Sequence, residues 1–165
     1  MSENSAGGDA LFQSIRRARP AVVTGVPDGM LADAIRLCAA AGEFPYTPCA
    51  REEECFGVAS GAAMAGERAV VLVQNAGFLN SIGAFATMAL RYQLPFVVFV
   101  THRGGLADPN GYDIEKHAAF EACAFPLTPV FRFDAADLPD DIASAAFKWA
   151  EAARRPAVIA LEKRL

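Results

Sequence analysis

The strongest constraint on the fold of this chain is a regular alternation of short, strongly apolar runs with longer helical stretches. Several of the apolar runs contain no polar residue at alternate positions, which is typical of strands that are covered on both faces. The pattern therefore predicts an α/β fold, a doubly wound, mostly parallel six-stranded sheet with helices on both faces. The expected strands are 21–24, 46–49, 69–73, 96–100, 130–133 and 157–161.

Helical patterns fill the intervals between these runs, and several are bounded by Gly or Pro. The expected helices are 9–19, 28–41, 52–65, 80–92, 113–122 and 135–153. The length of 165 residues suits a single domain, which we expect to span residues 9–165. Residues 1–8 are small and polar, and they are expected to form a disordered tail.

Charge and composition exclude several classes of protein. The formal net charge of −4 and the scattered Lys and Arg residues argue against a nucleic-acid partner. The start of the chain has no signal-peptide pattern, and the apolar run 96–100 is far too short to span a membrane. The four cysteines form no CxxC pair and have no metal-like spacing with the histidines. We therefore expect a cytoplasmic protein with reduced thiols and without a metal site in this chain.

Several common catalytic motifs are absent from the sequence. It has no GxxxxGK[ST] loop, no GxGxxG after a strand and no GxSxG segment. In a parallel sheet, ligands bind at the carboxyl ends of the strands, where four segments would meet. These segments are 25–29, 50–54, 74–80 and 101–113.

The first segment is a turn from a strand into a helix. Gly25 permits a sharp turn, and Pro27 presets a first helical turn. Exposed backbone N–H groups there would meet an anion or a planar ring. The alternative is an ordinary turn between a strand and a helix.

The second segment carries Glu52, Glu53 and Glu54 at the start of a helix. Three acids in a first helical turn suit the helix dipole, so a solvated capping cluster is one interpretation. The three side chains point in different directions, however, and one of them can face the strand ends. A carboxyl beside the apolar helix that follows would have a raised pKa and could handle a proton near neutral pH.

The third segment ends a buried strand with two amides, Gln74 and Asn75, followed by Gly77. Asn80 is explained as the N-cap of a helix. Capping does not explain Gln74 and Asn75, which need hydrogen-bond partners where they lie. A polar ligand is one candidate for that partner.

The fourth segment places His102 and Arg103 after a buried strand, beside two glycines. The guanidinium group of Arg103 matches the geometry of a carboxylate, sulfonate or phosphonate, so this segment is a candidate for binding an acidic substrate. The alternative is a surface loop in which Arg103 pairs with a neighbouring acid. His117, on the next helix, is either a satisfied helix residue or a proton donor.

Together these segments resemble sulfopyruvate decarboxylase α subunits and, equally, the N-terminal halves of phosphonopyruvate decarboxylases. The resemblance rests on Thr-Gly-Val-Pro-Asp at 24–28, Arg-Glu-Glu-Glu at 51–54, Gln-Asn-Ala-Gly-Phe-Leu-Asn-Ser at 74–81 and His-Arg-Gly at 102–104. The segments occur in the same order and spacing as in that family. The resemblance implies the fold of a thiamine-diphosphate-enzyme pyrimidine domain.

The resemblance also implies roles for individual residues. In the family, a glutamate hydrogen-bonds the aminopyrimidine ring of thiamine diphosphate and so assists removal of the reactive proton of the cofactor. That glutamate lies nine residues before a glycine, and counting back from Gly61 gives Glu52. The other residues that the resemblance assigns to cofactor binding are Gly25, Val26, Pro27, Gln74, Asn75 and Gly77. The residues that it assigns to substrate binding are Asn75, His102, Arg103 and His117.

The Gly-Asp-Gly segment with a distant Asn-Asn, which holds Mg²⁺ in the diphosphate domain of the family, does not occur in this sequence. The resemblance therefore implies a diphosphate-domain β subunit that holds Mg²⁺, in a hetero-oligomer with at least two copies of each subunit. The expected reaction is decarboxylation of a small acidic 2-oxo acid, with sulfopyruvate first and phosphonopyruvate second. The alternatives are an apolar 2-oxo acid, a carboligation, or a flavodoxin-like regulatory module without enzymatic activity.

Overall fold

All six apolar runs form strands, and each strand lies within one residue of its predicted bounds. The computed structural model describes residues 3–108 and 111–162. The strands are β1 (Val22–Gly25), β2 (Tyr46–Pro48), β3 (Ala69–Gln74), β4 (Val97–Thr101), β5 (Val130–Asp134) and β6 (Ala157–Glu162). They form one sheet in the order β2-β1-β3-β4-β6-β5, and all five pairings are parallel. This topology confirms the predicted fold class.

The helices connect successive strands and cover both faces of the sheet. They are α1 (Glu3–Ala18), α2 (Ala32–Ala40), α3 (Glu52–Met64), α4 (Asn75–Asn80), α5 (Ile82–Ala84), α6 (Ile114–Ala124) and α7 (Ile142–Ala153). A π-helical segment, Phe85–Leu90, follows α5, and a 3-10 turn, Gly111–Asp113, precedes α6. Within the described ranges, no helix is both long and apolar enough to cross a membrane.

Alternate residues of the buried strands contribute their side chains to two apolar cores, one on each face of the sheet. Along β3, Val70 and Leu72 pack with residues of α1, α2 and α7, whereas Val71 and Val73 pack with residues of α3, α4 and α6. On the second side, Phe56 makes edge-to-face contacts with Phe78 and Phe85 across the helices, with ring centroids 5.8 and 5.6 Å apart. These contacts hold the first turns of α3 and α4 close to the carboxyl end of β3.

The predicted disordered tail is largely helical. Helix α1 begins at Glu3 and not at residue 9. Two glycines explain this difference because they allow the helix to approach its neighbours closely. A Cβ on Gly7 would lie 2.6 Å from the carbonyl oxygen of Ala135, and a Cβ on Gly8 would lie 2.7 Å from the Cβ of Asp33.

Three further predicted helix starts were wrong. The helix expected at residue 28 begins at Ala32, because the preceding residues form a turn closed by a hydrogen bond from the Leu31 N–H to the Asp28 carbonyl oxygen. The helix expected at residue 80 begins at Ile82, and a separate helix, α4, precedes it directly after β3. Asn80 therefore ends α4 and is not an N-cap. The helix expected at residue 135 begins at Ile142.

Candidate functional site

The carboxyl ends of β1, β3 and β4 lie side by side and bring the predicted segments together. Gly25 pairs with Leu72 in the sheet register, and Gln74 pairs with Thr101. Helix α3 also contacts β1, β3 and α4, so the first turn of α3 lies at the same edge. Segments that are far apart along the chain therefore converge at this edge.

Two of the three glutamates at the start of α3 are occupied by local partners. Oε2 of Glu54 accepts hydrogen bonds from the backbone N–H groups of Ala50 (3.0 Å) and Arg51 (3.2 Å). The carboxylate of Glu53 pairs with the guanidinium group of Arg51 at 2.7 Å, and its backbone and Arg51 hydrogen bonds lower the pKa of Glu53. Among the described residues, none makes a hydrogen bond or an ion pair with the half-buried side chain of Glu52. Oε2 of Glu53 is buried without a hydrogen-bond partner. Glu52 is therefore the acid of this turn whose two carboxylate oxygens both remain without a partner among the described residues.

The side chain of Glu52 lies directly against Gly77. A Cβ on Gly77 would lie 2.3 Å from Cγ of Glu52 and 2.5 Å from its Oε1. No side chain fits at position 77 unless the carboxylate of Glu52 moves. Gly77 therefore determines where this carboxylate lies, and the contact joins two of the predicted cofactor-binding residues.

The first predicted segment, 25–29, begins with a turn that packs tightly against β3. A Cβ on Gly25 would lie 2.6 Å from the carbonyl oxygen of Leu72, so only glycine allows β1 to approach β3 so closely here. The Val26 N–H donates to the same carbonyl at 3.3 Å, and the hydroxyl of Tyr46 donates to the Gly25 carbonyl at 3.3 Å. Pro27 follows in the turn and is exposed.

Asp28 connects the three strand ends, a role that was not predicted from the sequence. Its side chain is only 8% exposed. Oδ2 accepts a hydrogen bond from Nε2 of Gln74 at 3.2 Å, and Oδ1 accepts hydrogen bonds from the Met30 N–H (3.0 Å) and the Thr101 hydroxyl (3.2 Å). The only sequence signal was the position of Asp28 in the turn that follows β1.

The side-chain amide of Asn75 is hydrogen-bonded to backbone groups of its own chain. Asn75 is fully buried. Its Nδ2 donates to the carbonyl oxygen of Arg103 at 3.1 Å, and its Oδ1 accepts from the Ala76 N–H at 3.0 Å. These bonds satisfy the amide that the sequence analysis left without an explanation, and they join α4 to the loop after β4.

Arg103 pairs with acids of its own chain. Its Nε and Nη2 donate to the two carboxylate oxygens of Asp108 at 2.5 and 3.1 Å, and its Nη1 lies 3.9 Å from Oδ2 of Asp28. The hydrogen bond to Asp108 raises the pKa of Arg103, which keeps the guanidinium charged. Because the side chain is only 14% exposed, this arrangement favours the alternative in which Arg103 pairs with a neighbouring acid. Its assignment to an anionic substrate stays a prediction.

The two histidines form a stacked pair. The rings of His102 and His117 are 3.7 Å apart and inclined by 4°. The ring nitrogens of His102 lie 3.1 Å from Oε1 of Glu162 and 3.2 Å from the His117 carbonyl oxygen. Burial lowers the pKa of His102, and this effect outweighs the two hydrogen bonds, which raise the pKa. Nδ1 of His117 lies 3.2 Å from the Arg103 carbonyl oxygen, which can only accept, so a hydrogen bond here needs the N–H on Nδ1.

The stacked histidines and Glu121 also have side-chain ligand atoms within 4.8 Å of one another. Parallel rings are unsuited to a shared metal ion, because the nitrogen lone pairs lie in the ring planes and do not converge between them. In addition, Glu121 pairs with Arg132. The geometry therefore does not support a metal site at this cluster.

Residues 5–116 match the family model described as "Thiamine pyrophosphate enzyme, N-terminal TPP binding domain". The chain is 31% identical over 126 residues to the sulfopyruvate decarboxylase subunit alpha of Methanocaldococcus jannaschii, an alignment that covers 73% of each chain. It is 34% identical over 96 residues to the protein of the same name from Methanothermobacter thermautotrophicus, with 58% of each chain covered.

Two solved structures share the fold. The benzoylformate decarboxylase of Polynucleobacter necessarius matches with a TM-score of 0.63 and 17% identity over 96% of this chain and 31% of that chain. The 2-oxoglutarate:ferredoxin oxidoreductase of Magnetococcus marinus matches with a TM-score of 0.69 and 15% identity over 98% of this chain and 29% of that chain. The present chain therefore spans about three tenths of the length of these two proteins.

Proposed function

The chain belongs to the family of thiamine pyrophosphate enzyme N-terminal TPP-binding domains, and we propose that it is the α subunit of a thiamine-diphosphate-dependent decarboxylase acting on sulfopyruvate. The products of this reaction are sulfoacetaldehyde and carbon dioxide. The names of the aligned relatives support the choice of substrate. The geometry around Glu52 supports the choice of cofactor.

The residues at the strand ends fit the pyrimidine ring of thiamine diphosphate. A half-buried carboxylate with no partner among the described residues offers an acceptor for a ring N–H. Gly77 and Gly25 are two positions at this edge where neighbouring atoms exclude a side chain, which lets the Glu52 carboxylate and the turn after β1 pack at the ends of the strands. Glu52 would hold the ring, and the side chain of Gln74 and the turn of Gly25, Val26 and Pro27 would lie beside it.

The position of Glu52 is the observation that carries this proposal. Glu53 pairs with Arg51 through one oxygen and Glu54 accepts from the helix start, whereas the side chain that lies against Gly77 is that of Glu52. Its carboxylate would hold a proton shared with the ring and deliver or remove it as the reaction requires. When it is bound, thiamine diphosphate supplies the electron sink that decarboxylation of a 2-oxo acid needs.

The proposal includes a partner subunit. The relatives are named as α subunits, which supports a hetero-oligomer, and we propose at least two copies of each subunit. The partner would bind the diphosphate and Mg²⁺, because the ring-binding residues described above offer no cluster of cations for a diphosphate. His102 and His117 would contribute to binding or protonating the substrate from the β4–α6 side of the site.

The test is reconstitution of the chain with its diphosphate-domain partner, thiamine diphosphate and Mg²⁺. Release of carbon dioxide is followed with sulfopyruvate, phosphonopyruvate and pyruvate as substrates. We expect turnover that needs both chains and is fastest with sulfopyruvate. Faster turnover of phosphonopyruvate or pyruvate would contradict the choice of substrate, and failure of the complex to bind thiamine diphosphate would contradict the whole proposal.

A further inference from the structure

We infer that Asp28 is a positioning residue that fixes the carboxamide of Gln74 so that the oxygen of this amide faces the ligand. The inference rests on the proposed function and deepens it, since it assigns an acceptor beside Glu52. The evidence for it is the direction of the hydrogen bonds between side chains at the ends of β1, β3 and β4.

The Asp28 carboxylate can only accept hydrogen bonds, and its surroundings supply only donors. The donors are the Met30 N–H, the Thr101 hydroxyl and Nε2 of Gln74, at 3.0, 3.2 and 3.2 Å. Nη1 of Arg103 lies 3.9 Å away and adds a positive charge. A carboxylate that is 8% exposed and held by donors from three strand ends has little freedom to rotate.

This arrangement sets the orientation of the Gln74 side chain. Because Asp28 accepts from Nε2, the amide nitrogen of Gln74 points towards the turn after β1. The amide oxygen then points the other way, and no described residue donates a hydrogen bond to it. Gln74 immediately precedes α4, whose Gly77 contacts Glu52. The edge therefore presents two acceptors, the carboxylate of Glu52 and the amide oxygen of Gln74.

Two acceptors on neighbouring elements suit a ligand that presents N–H donors on two nitrogens, as the aminopyrimidine of thiamine diphosphate does when its ring nitrogen is protonated. Arg103 has a part in the same arrangement, since its bidentate pair with Asp108 holds the guanidinium beside Asp28. In this arrangement Asp28 acts through Gln74 and does not touch the ligand itself.

The experiment measures the Kd of thiamine diphosphate for the purified complex with its partner subunit, by calorimetry in the presence of Mg²⁺. The variants are Asp28→Asn, Gln74→Ala and both together. The amide introduced by Asp28→Asn would place an N–H₂ group towards Gln74 or Arg103, so the orientation of the Gln74 amide would be lost. We expect Asp28→Asn to weaken binding at least about tenfold in the parent, and less than about twofold when Gln74 is already replaced by alanine.

Asp113→Asn is the matched control. The side chain of Asp113 is 2% exposed and pairs with Lys116 at 2.8 Å, so this acid is as buried as Asp28 and lies in the neighbouring loop. We expect this control to lower the Tm of the complex and to leave the Kd unchanged. If Asp28→Asn prevents assembly, Thr101→Val removes one donor to Asp28 and is expected to weaken binding about threefold.

Three outcomes of the binding experiment are informative. An unchanged Kd in the Asp28→Asn complex, or an equal loss in the Gln74→Ala background, would overturn the inference and leave the proposed function intact. The expected loss, confined to the background that retains Gln74, would support it. Failure of the parent complex to bind thiamine diphosphate would overturn the proposed function, and this inference with it.

Discussion

Glu52 and Gly77 form a contact in which the glycine is required by its neighbour and not by its own backbone. A Cβ at position 77 would lie 2.3 Å from Cγ of Glu52, whereas the glycines with positive φ are Gly42, Gly66 and Gly104. The contact joins the first turn of α3 to α4. It makes the position of the candidate catalytic carboxylate dependent on a residue that carries no side chain.

Replacement of Gly77 by Ala is predicted to displace the Glu52 carboxylate. To relieve the clash, either Glu52 changes its rotamer or α4 shifts. Either movement displaces the Glu52 carboxylate, which would accept the ring N–H. We expect thiamine diphosphate to bind at least about tenfold more weakly to the reconstituted complex. The measurement is the Kd by calorimetry.

Gly83→Ala provides the control for this substitution, because a Cβ on this exposed helical glycine would meet no atom within 4 Å. It is expected to leave the Kd unchanged and to raise the free energy of unfolding by about 0.5 kcal/mol. Equal Kd values for the two variants would show that the contact at Gly77 does not position Glu52.

Glu52→Gln is predicted to separate catalysis from stability. The amide has nearly the shape of the acid but cannot exchange a proton, so decarboxylation should fall by at least about 10²-fold while the Tm stays close to that of the parent. Glu53→Gln should have a milder effect on turnover. Glu54→Gln weakens the acceptor for two backbone N–H groups and should cost about 1 kcal/mol of stability with most activity retained. Near-normal turnover of Glu52→Gln would refute the assignment.

The sheet was predictable from the sequence, and the contacts of the site were less so. Continuous apolar runs such as β3 depend on local composition, so their bounds could be predicted within one residue. The spacing of residues alone did not show which of the three glutamates at the start of α3 faces the site. Only the family resemblance selected Glu52. The role of Asp28 could not be predicted, because its partners Gln74 and Thr101 are 46 and 73 residues away in the chain. The role of Asn75 was also missed, because its side-chain amide donates to the carbonyl oxygen of Arg103, which is 28 residues away in the chain.

The loop after β4 is predicted to depend on Gly104. Its φ of +87° is unfavourable for a residue with a side chain, and a Cβ there would lie 2.1 Å from the Asp113 carbonyl oxygen. Gly104→Ala should therefore lower the free energy of unfolding by at least about 2 kcal/mol, measured by urea denaturation. A Cβ on Gly111 in the same region would meet no atom within 4 Å, so Gly111→Ala should change stability much less. Similar losses for both variants would contradict this explanation.

Stability is predicted to fall steeply under alkaline conditions because buried groups resist ionisation in the folded chain. Burial raises the pKa of Cys38 from 9.0 to about 12, and that of Tyr46 from 10.0 to about 12. Below pH 9 the Cys38 thiol is protonated in both the folded and the unfolded chain, so its contribution to stability is complete. Between pH 9 and 12 the unfolded chain loses the Cys38 proton first, and the contribution of this thiol is lost by at most about 1.4 kcal/mol per pH unit. Tyr46 acts in the same direction between pH 10 and 12.

Cys38→Ala tests this explanation, because it removes one of the titrating groups from the core. The free energy of unfolding, measured in urea between pH 8 and 11, should fall less steeply in this variant than in the parent. Val70→Ala removes apolar volume from the same core without removing a titrating group, so it should lower stability by a similar amount at every pH and keep the slope of the parent. If Cys38→Ala also keeps that slope, the thiol is not a source of the alkaline instability, and the decline must come from groups such as Tyr46.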